Sequence, residues 1–327
     1  MTFLVTGAAG FIGYHVSEAL LARGDRVIGV DVLNDYYDVD LKKARRDRLL
    51  AHSNFEFVHE DIGNRDAMFA LADTNPDITT IIHLAAQAGV RYSLENPFAY
   101  IETNVMGHLV MLEMCRRMKD LRHFVYASSS SVYGGNTKLP FAVEDPTDTP
   151  VSIYAATKKA DELMSHSYSH LFGIPATGLR FFTVYGPWGR PDMATYIFLK
   201  AILANKPIPV FNNGDMTRDF TYIDDIVKGV LAVAGGPPSG EGAPHRVYNI
   251  GNNRSEPLMR LIELLEDAVG IKAEIDFQPM QPGDVKATYA DISAIQNDFG
   301  FEPSTSIDDG VPRFVEWFRD YHGVGRN

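Results

Sequence analysis

The chain has 327 residues, of which 45% are hydrophobic and 22% charged, and its net charge is −12. This is globular composition, long enough for two domains or one large α/β unit, and it excludes a disordered, collagenous or coiled-coil chain. The acidic balance argues against a nucleic-acid partner, and no apolar run approaches the ~20 residues of a membrane span. Cys115 is the single cysteine, so an internal disulfide and a cysteine-rich metal site are both ruled out. The opening MTFLVTG lacks the basic and long apolar stretches of a secretion signal, so a cytoplasmic location is expected.

The first apolar run, residues 3–6, predicts a buried strand, and a glycine-rich turn follows. Helical spacing covers 11–21 and ends near Gly24. Further strands are predicted at 26–31, 55–59, 80–84, 123–128 and 176–181, with helices over 97–118 and 152–171. Alternating strands and helices with apolar strands imply a doubly wound parallel α/β sheet of Rossmann type, covered on both faces. Beyond about residue 180, proline, glycine and asparagine become frequent, and a smaller C-terminal lobe rich in loops is expected. A helix over 257–269 is predicted there, capped by Ser255 with Pro257 in its first turn. Residues 235–242 read as a surface loop. The expected division is a dinucleotide-binding domain over 1–180, with segments near 219–250 packing back on it, and a substrate-binding lobe over 181–327.

The turn after the first strand carries Gly7, Gly10 and Gly13 in the spacing G-x-x-G-x-x-G. Glycines there allow a tight turn and close backbone approach, and the following helix offers free N–H groups to a pyrophosphate. Phe11 and Ile12 lie inside this turn, and Asp31 closes the next strand. A carboxylate at that place accepts both ribose hydroxyls and repels a 2′-phosphate, which favours NAD over NADP. The basic run 42–48 reads as a solvated helix face, with a phosphate contact as the alternative.

Four serines, Ser128, Ser129, Ser130 and Ser131, follow the fifth strand, at the strand ends that face the ligand crevice. Tyr154 and Lys158 are four residues apart and share a helix face. An ammonium beside a phenol favours the phenolate. With a serine hydroxyl, the pair suits removal of a proton from a substrate alcohol while hydride leaves the same carbon. The ten histidines show no metal-binding spacing, so no metal is expected.

Together with Asp61–Ile62, His83–Ala86, Asn104 and the run Thr217–Asp225, these residues make the chain resemble the extended short-chain dehydrogenase/reductases over nearly its whole length. Among them it is most similar to the nucleotide-sugar 4-epimerases. The resemblance implies a tightly held NAD in its oxidised form. Its contacts would be Gly7, Gly10, Phe11, Ile12, Gly13, Asp31, Asp61, Ile62, Leu84, Ala85, Ala86, Asn104, Tyr154 and Lys158. Tyr154 would be the base, Lys158 would bind the nicotinamide ribose, and Ser129 would bond the 4-hydroxyl, a role Ser128 or Ser130 can share. It also implies a homodimer through the helices over 97–118 and 154–171.

Related dehydratases carry an acidic pair before Val-Tyr-Gly, and related decarboxylases a glutamate; here Ser130 and Ser131 stand there, which favours simple epimerisation. Glucose/galactose epimerases usually have asparagine where this chain has Thr183, and Arg190 follows seven residues on. A hydroxyl and a guanidinium suit a substrate carboxylate, and Arg91 is a second candidate cation. These strings resemble the UDP-glucuronate 4-epimerases, which make UDP-galacturonate. Arg218 resembles the family's pyrophosphate contact, and Asp284 is expected at the nucleotide ribose, although the family's Arg-x-Gly-Asp is here Gln281-Pro-Gly-Asp284. The competing readings are an epimerase of neutral UDP-sugars, a UDP-glucuronate decarboxylase and a non-catalytic NAD-binding regulator.

Overall fold

The structure, a computed structural model, describes residues 1–324; the end of the 181–327 segment, residues 325–327, lies outside the described residues. Its centre is a seven-stranded parallel sheet. Six of its strands come from the first part of the chain: β1 (Thr2–Thr6), β2 (Arg26–Asp31), β3 (Phe55–His59), β4 (Ile78–His83), β5 (His123–Ser129) and β6 (Ala176–Phe181). Four short strands follow, β7 (Thr183–Tyr185), β8 (Ile208–Val210), β9 (Thr217–Arg218) and β10 (Phe220–Tyr222). The seventh sheet strand is β11 (His245–Ile250), and the order is β11-β6-β5-β4-β1-β2-β3. All six predicted strands are present, displaced by at most two residues at either end. The seventh is missing from the sequence reading because β11 is an edge strand, polar at its start and buried only from Tyr248 to Ile250.

The first helices are α1 (Phe11–Ala22), α2 (Val39–Leu50) and α3 (Arg65–Thr74), then the short α4 (Tyr92–Glu95) and α5 (Pro97–Tyr100). The predicted helix over 97–118 is interrupted: a π-helical turn at Ile101–Met106 separates α5 from α6 (Gly107–Arg117). Such wide turns recur at functional sites. Here it carries Asn104, whose side chain accepts from Gln87 N at 2.8 Å and donates to Gln87 O at 3.1 Å, pinning the loop after β4. Next comes α7 (Ile153–Phe172), capped by Ser152, whose Oγ accepts from Ala155 N.

The later helices are α8 (Ala194–Leu203), α9 (Ile223–Ala234), α10 (Leu258–Val269), α11 (Ser293–Phe299) and α12 (Ile307–His322). Ser255 does not cap α10. Its Oγ donates to Thr288 O, and Glu256–Pro257 form a strand, β12, antiparallel to β9, so the helix begins only at Leu258. The ladder claims the backbone that a capping turn would need. The last strand, β13 (Ile275–Phe277), pairs with β8. One apolar cluster joins Phe3, Val5 and Phe11 to Phe198, Leu261 and Phe314, so buried contacts run from β1 through α12. A second lies around Leu4, Ile81, Met111 and Phe124 on the other side of the sheet.

Candidate active site

The C-terminal ends of β1–β6 open on one cavity of about 490 Å³. This is where an open parallel sheet binds ligands, beside the point where β1 is flanked by β2 on one side and β4 on the other. Gly7 has φ +71°, and a Cβ there would sit 2.8 Å from Ala85 N. A Cβ on Gly13 would overlap the Gly7 carbonyl oxygen, so the helix packs onto the turn only because it is absent. No side chain caps α1 at Gly10, and the cavity is walled by Gly7, Gly10, Phe11, Ile12 and Gly13. Free amides, a helix N-terminus and no Cβ in the way fit a dinucleotide pyrophosphate.

Asp31 is held by two amides: Ala9 N donates at 3.0 Å and Leu33 N at 2.8 Å. Asp61 and Ile62 after β3, and Leu84, Ala85 and Ala86 after β4, line the same wall. The run 42–48 differs from the solvated face expected of it, because Lys42 and Arg45 are buried. Lys42 Nζ donates to Asn34 O at 2.6 Å and lies over the Tyr37 ring; burial lowers its pKa to about 8, although Asp31 opposes this. Arg45 donates to Ala9 O (3.0 Å), Trp188 O (2.5 Å) and Gly189 O (3.1 Å), and to the Tyr37 hydroxyl. Those carbonyls turn inward and need a donor that water cannot supply, which composition alone does not reveal.

Tyr154 lies in the first turn of α7 on the cavity wall, its ring edge-on to Tyr100 at 6.0 Å. Lys158 is 3% exposed and reaches the wall from one turn further on. Its Nζ donates to Ala127 O at 3.0 Å and to Asp161 Oδ2 at 3.1 Å. Burial raises Asp161 to about pH 7 against the pull of Lys158, and its Oδ1 has no partner among the described residues. His83 is a structural bonder: Nδ1 meets Thr6 Oγ1 at 2.7 Å, and burial with the nearby Lys158 lowers it to about 3.

The four serines share this wall and differ in what they bond. Ser128 Oγ donates to Glu162 Oε1 at 2.7 Å, joining a buried bidentate pair between Glu162 and Arg180. Ser129 Oγ caps a short 3-10 turn at Ser130–Tyr133, accepting from Ser131 N at 3.2 Å, and donates to Ser131 Oγ. Ser130 Oγ makes no hydrogen bond among the described residues. The Glu162–Arg180 pair escaped the sequence reading, since its members lie on different elements.

Across the cavity stand Thr183, Arg190, Arg218 and Asp284. Arg190 pairs with Asp192, Nε to Oδ1 at 3.0 Å and Nη2 to Oδ2 at 2.5 Å. Arg218 Nη2 donates to Asp284 Oδ1 at 2.7 Å. Two expected contacts do not line the cavity. Asn104 is 2% exposed, bonded to Gln87 and Thr157; Arg91 is half exposed, stacked on Phe211, with Asp284 at 3.8 Å. Among the described residues, no group of three or more His, Cys, Asp or Glu is arranged to hold a metal.

UDP-glucuronate 4-epimerase 4 of Arabidopsis thaliana is 49% identical over 335 residues, 98% of this chain and 76% of that protein. A probable UDP-glucuronate 4-epimerase of Rhizobium meliloti (strain 1021) is 46% identical over 97% of each chain. In three dimensions, UDP-glucuronic acid 4-epimerase from Bacillus cereus, solved with UDP-glucuronic acid and NAD, superposes with a TM-score of 0.91 at 37% identity, over 98% of this chain and 100% of that one. The family profile described as GDP-mannose 4,6 dehydratase matches residues 4–314, and the chain belongs to that family, within the extended short-chain dehydrogenase/reductases.

Proposed function

We propose that the chain is an NAD-dependent UDP-glucuronate 4-epimerase, interconverting UDP-glucuronate and UDP-galacturonate. The observation that carries this is the meeting, in one cavity, of a dinucleotide cradle, the Tyr154/Lys158 pair and two donors suited to a carboxylate, Thr183 and Arg190. The pyrophosphate belongs on the amides of Phe11 and Ile12, the adenosine ribose on Asp31 and the adenine between Asp61 and Ile62. Leu84, Ala85 and Ala86 cover the rest. The chemistry supplied by a bound NAD would be that of a hydride acceptor for C4 of the sugar and then of a hydride donor to its opposite face.

In this reading Tyr154 takes the proton of the 4-hydroxyl and later gives it back. The Lys158 ammonium, fixed on Ala127 O and Asp161, stabilises the phenolate and reaches the cofactor ribose. Ser129 and Ser130 hold O4: Ser130 Oγ is uncommitted and Ser129 can turn its hydroxyl from the neutral Ser131 Oγ, whereas the Ser128 proton is engaged by the Glu162 carboxylate. No carboxylic acid stands at 130 or 131, so a leaving hydroxyl finds no proton donor there. Arg218 and Asp284 serve the diphosphate and ribose of UDP. Arg91 and Asn104 act from behind the wall, through Asp284 and through the loop at Gln87.

Two coarser features complete the reading. Leu94, Phe98, Ile101 and Met106 are exposed on the segment packed against α7, which itself exposes Ile153 and Leu163. This apolar face supports a homodimer. No helix among the described residues is long and apolar enough to cross a membrane. A cytoplasmic location rests on the nucleotide substrate and cofactor. The substrate assignment is tested by comparing kcat/KM on UDP-glucuronate and UDP-glucose. We expect at least a tenfold preference for the uronate, removed by Arg190→Ala; a preference for UDP-glucose contradicts the assignment.

A further inference from the structure

Arg190 does not sit alone. Its backbone belongs to the loop between β7 and α8, where Trp188 adopts φ +60° and both Trp188 O and Gly189 O are gripped by buried Arg45. The guanidinium is then fixed by Asp192 through two parallel bonds that use Nε and Nη2. Asp192 is in turn held by the Tyr36 hydroxyl, which donates to Oδ2 at 3.1 Å. Tyr36 stands at one end of a row of rings, Tyr36–Tyr92 (4.9 Å), Tyr92–Tyr100 (6.2 Å) and Tyr100–Tyr154 (6.0 Å), that leads to the base. Burial opposes ionisation of Asp192, but Arg190 and the Tyr36 hydroxyl outweigh it and hold the carboxyl below its ordinary value. Arg190 and Asp192 are each about a quarter exposed, and Arg190 lines the cavity with Asp192 two residues further on.

We propose that Asp192 and Tyr36 are positioning residues that lock the Arg190 guanidinium so that one edge, Nη1, holds the substrate carboxylate in an orientation that prevents loss of CO2. This rests on the function proposed above. Oxidation at C4 turns the uronate into a β-keto acid. Decarboxylation breaks C5–C6, releases CO2 and sends the electron pair into the enolate of the C4 ketone, after which C5 takes a proton. The breaking bond must align with the carbonyl π system, so a carboxylate kept near the carbonyl plane cannot leave readily. A guanidinium free to swing lets C6 tip out of the carbonyl plane as the ring changes pucker; one clamped from behind holds C6 in that plane.

The test uses the full chain with its bound cofactor, UDP-glucuronate labelled with ¹³C at C6, and simultaneous measurement of ¹³CO2 and UDP-galacturonate. Asp192→Asn keeps the shape and removes the charge; Tyr36→Phe removes one hydrogen bond and no charge. We expect the ratio of CO2 to epimer to rise at least tenfold in Asp192→Asn and by a smaller factor in Tyr36→Phe, with kcat/KM on UDP-glucose within twofold of the parent. An unchanged ratio in the variants that fold overturns the inference, as does an equal loss on both sugars, which marks a merely structural role. If the parent protein leaves UDP-glucuronate untouched, the underlying function fails first, and that result is read before any variant is made. Should Asp192→Asn fail to fold, Tyr36→Phe decides the matter by the same ratio.

Discussion

Tyr154 Oη makes no hydrogen bond among the described residues, whereas nearly every polar group around it is committed. Lys158, Ser128, Glu162 and Arg180 are locked into buried pairs, so the Tyr154 phenol stands on rigid supports. Tyr154→Phe is therefore expected to lower kcat by about 10²–10⁴-fold, the usual contribution of a positioned acid–base group, while the protein keeps its NAD. Absorbance of the purified variant measures the cofactor, and a product assay measures the rate. Ser128 and Ser129 divide differently. Ser128→Ala leaves Glu162 one donor short and is expected to lower the melting temperature, because a buried polar group without its partner costs about 1–3 kcal/mol. Ser129→Ala should act on turnover as well, at a stability cost no larger than that of losing one turn's cap, about 0.5–2 kcal/mol.

At the scale of the elements, the glycine turn is the most constrained. Gly13→Ala drives a methyl into Gly7 O, and overpacking of this kind costs about 1–3 kcal/mol. We expect it to displace the start of α1 and to strip NAD from the purified protein, read as cofactor per chain. The same turn was legible in the sequence, because glycine spacing, a preceding strand and a following helix all report on local backbone. The Tyr154/Lys158 pair was legible for a similar reason: i and i+4 share a face whatever the tertiary fold. Illegible were features made by contact between distant segments. Arg45 reads as one more charge on a polar helix until Trp188 is folded against it. Asp192 reads as a loop residue until Tyr36 arrives. β11 opens with His245 and Arg246 because it is a sheet edge, which alternation alone does not register.

At the scale of the molecule, Arg45 ties the glycine turn at Ala9 to the loop at Trp188–Gly189. Arg45→Met removes every donor to these carbonyls and is expected to lower stability by several kcal/mol, on the order of 1–3 for each buried group left unpaired; chemical denaturation measures it. Acid should also destabilise the fold. Burial lowers His15, His123 and His245 to about 4 and His83 to about 3, and it holds His108 well below its ordinary value. These five bind protons in the unfolded chain between their folded values and about 6.5, so their contribution is lost as pH falls through that window. Asp161 and Asp219, raised by burial to about 7 and about 6, act in the opposite sense but are fewer. The expected result is a melting temperature that rises from pH 4.5 to pH 6.5. The exposed face at Phe98 and Leu163 gives a further expectation: charged substitutions at both positions should convert a dimer to a monomer by light scattering.

The three scales meet in the proposed reaction: one cavity oxidises and re-reduces a uronic acid without losing its carboxylate. The most direct test is proton NMR of the purified protein with UDP-glucuronate and no added NAD. We expect UDP-galacturonate to accumulate to a fixed ratio with UDP-glucuronate, on cofactor that came with the protein. No conversion even with NAD supplied, turnover of UDP-glucose alone, or a UDP-pentose with CO2 as the main product would each contradict it.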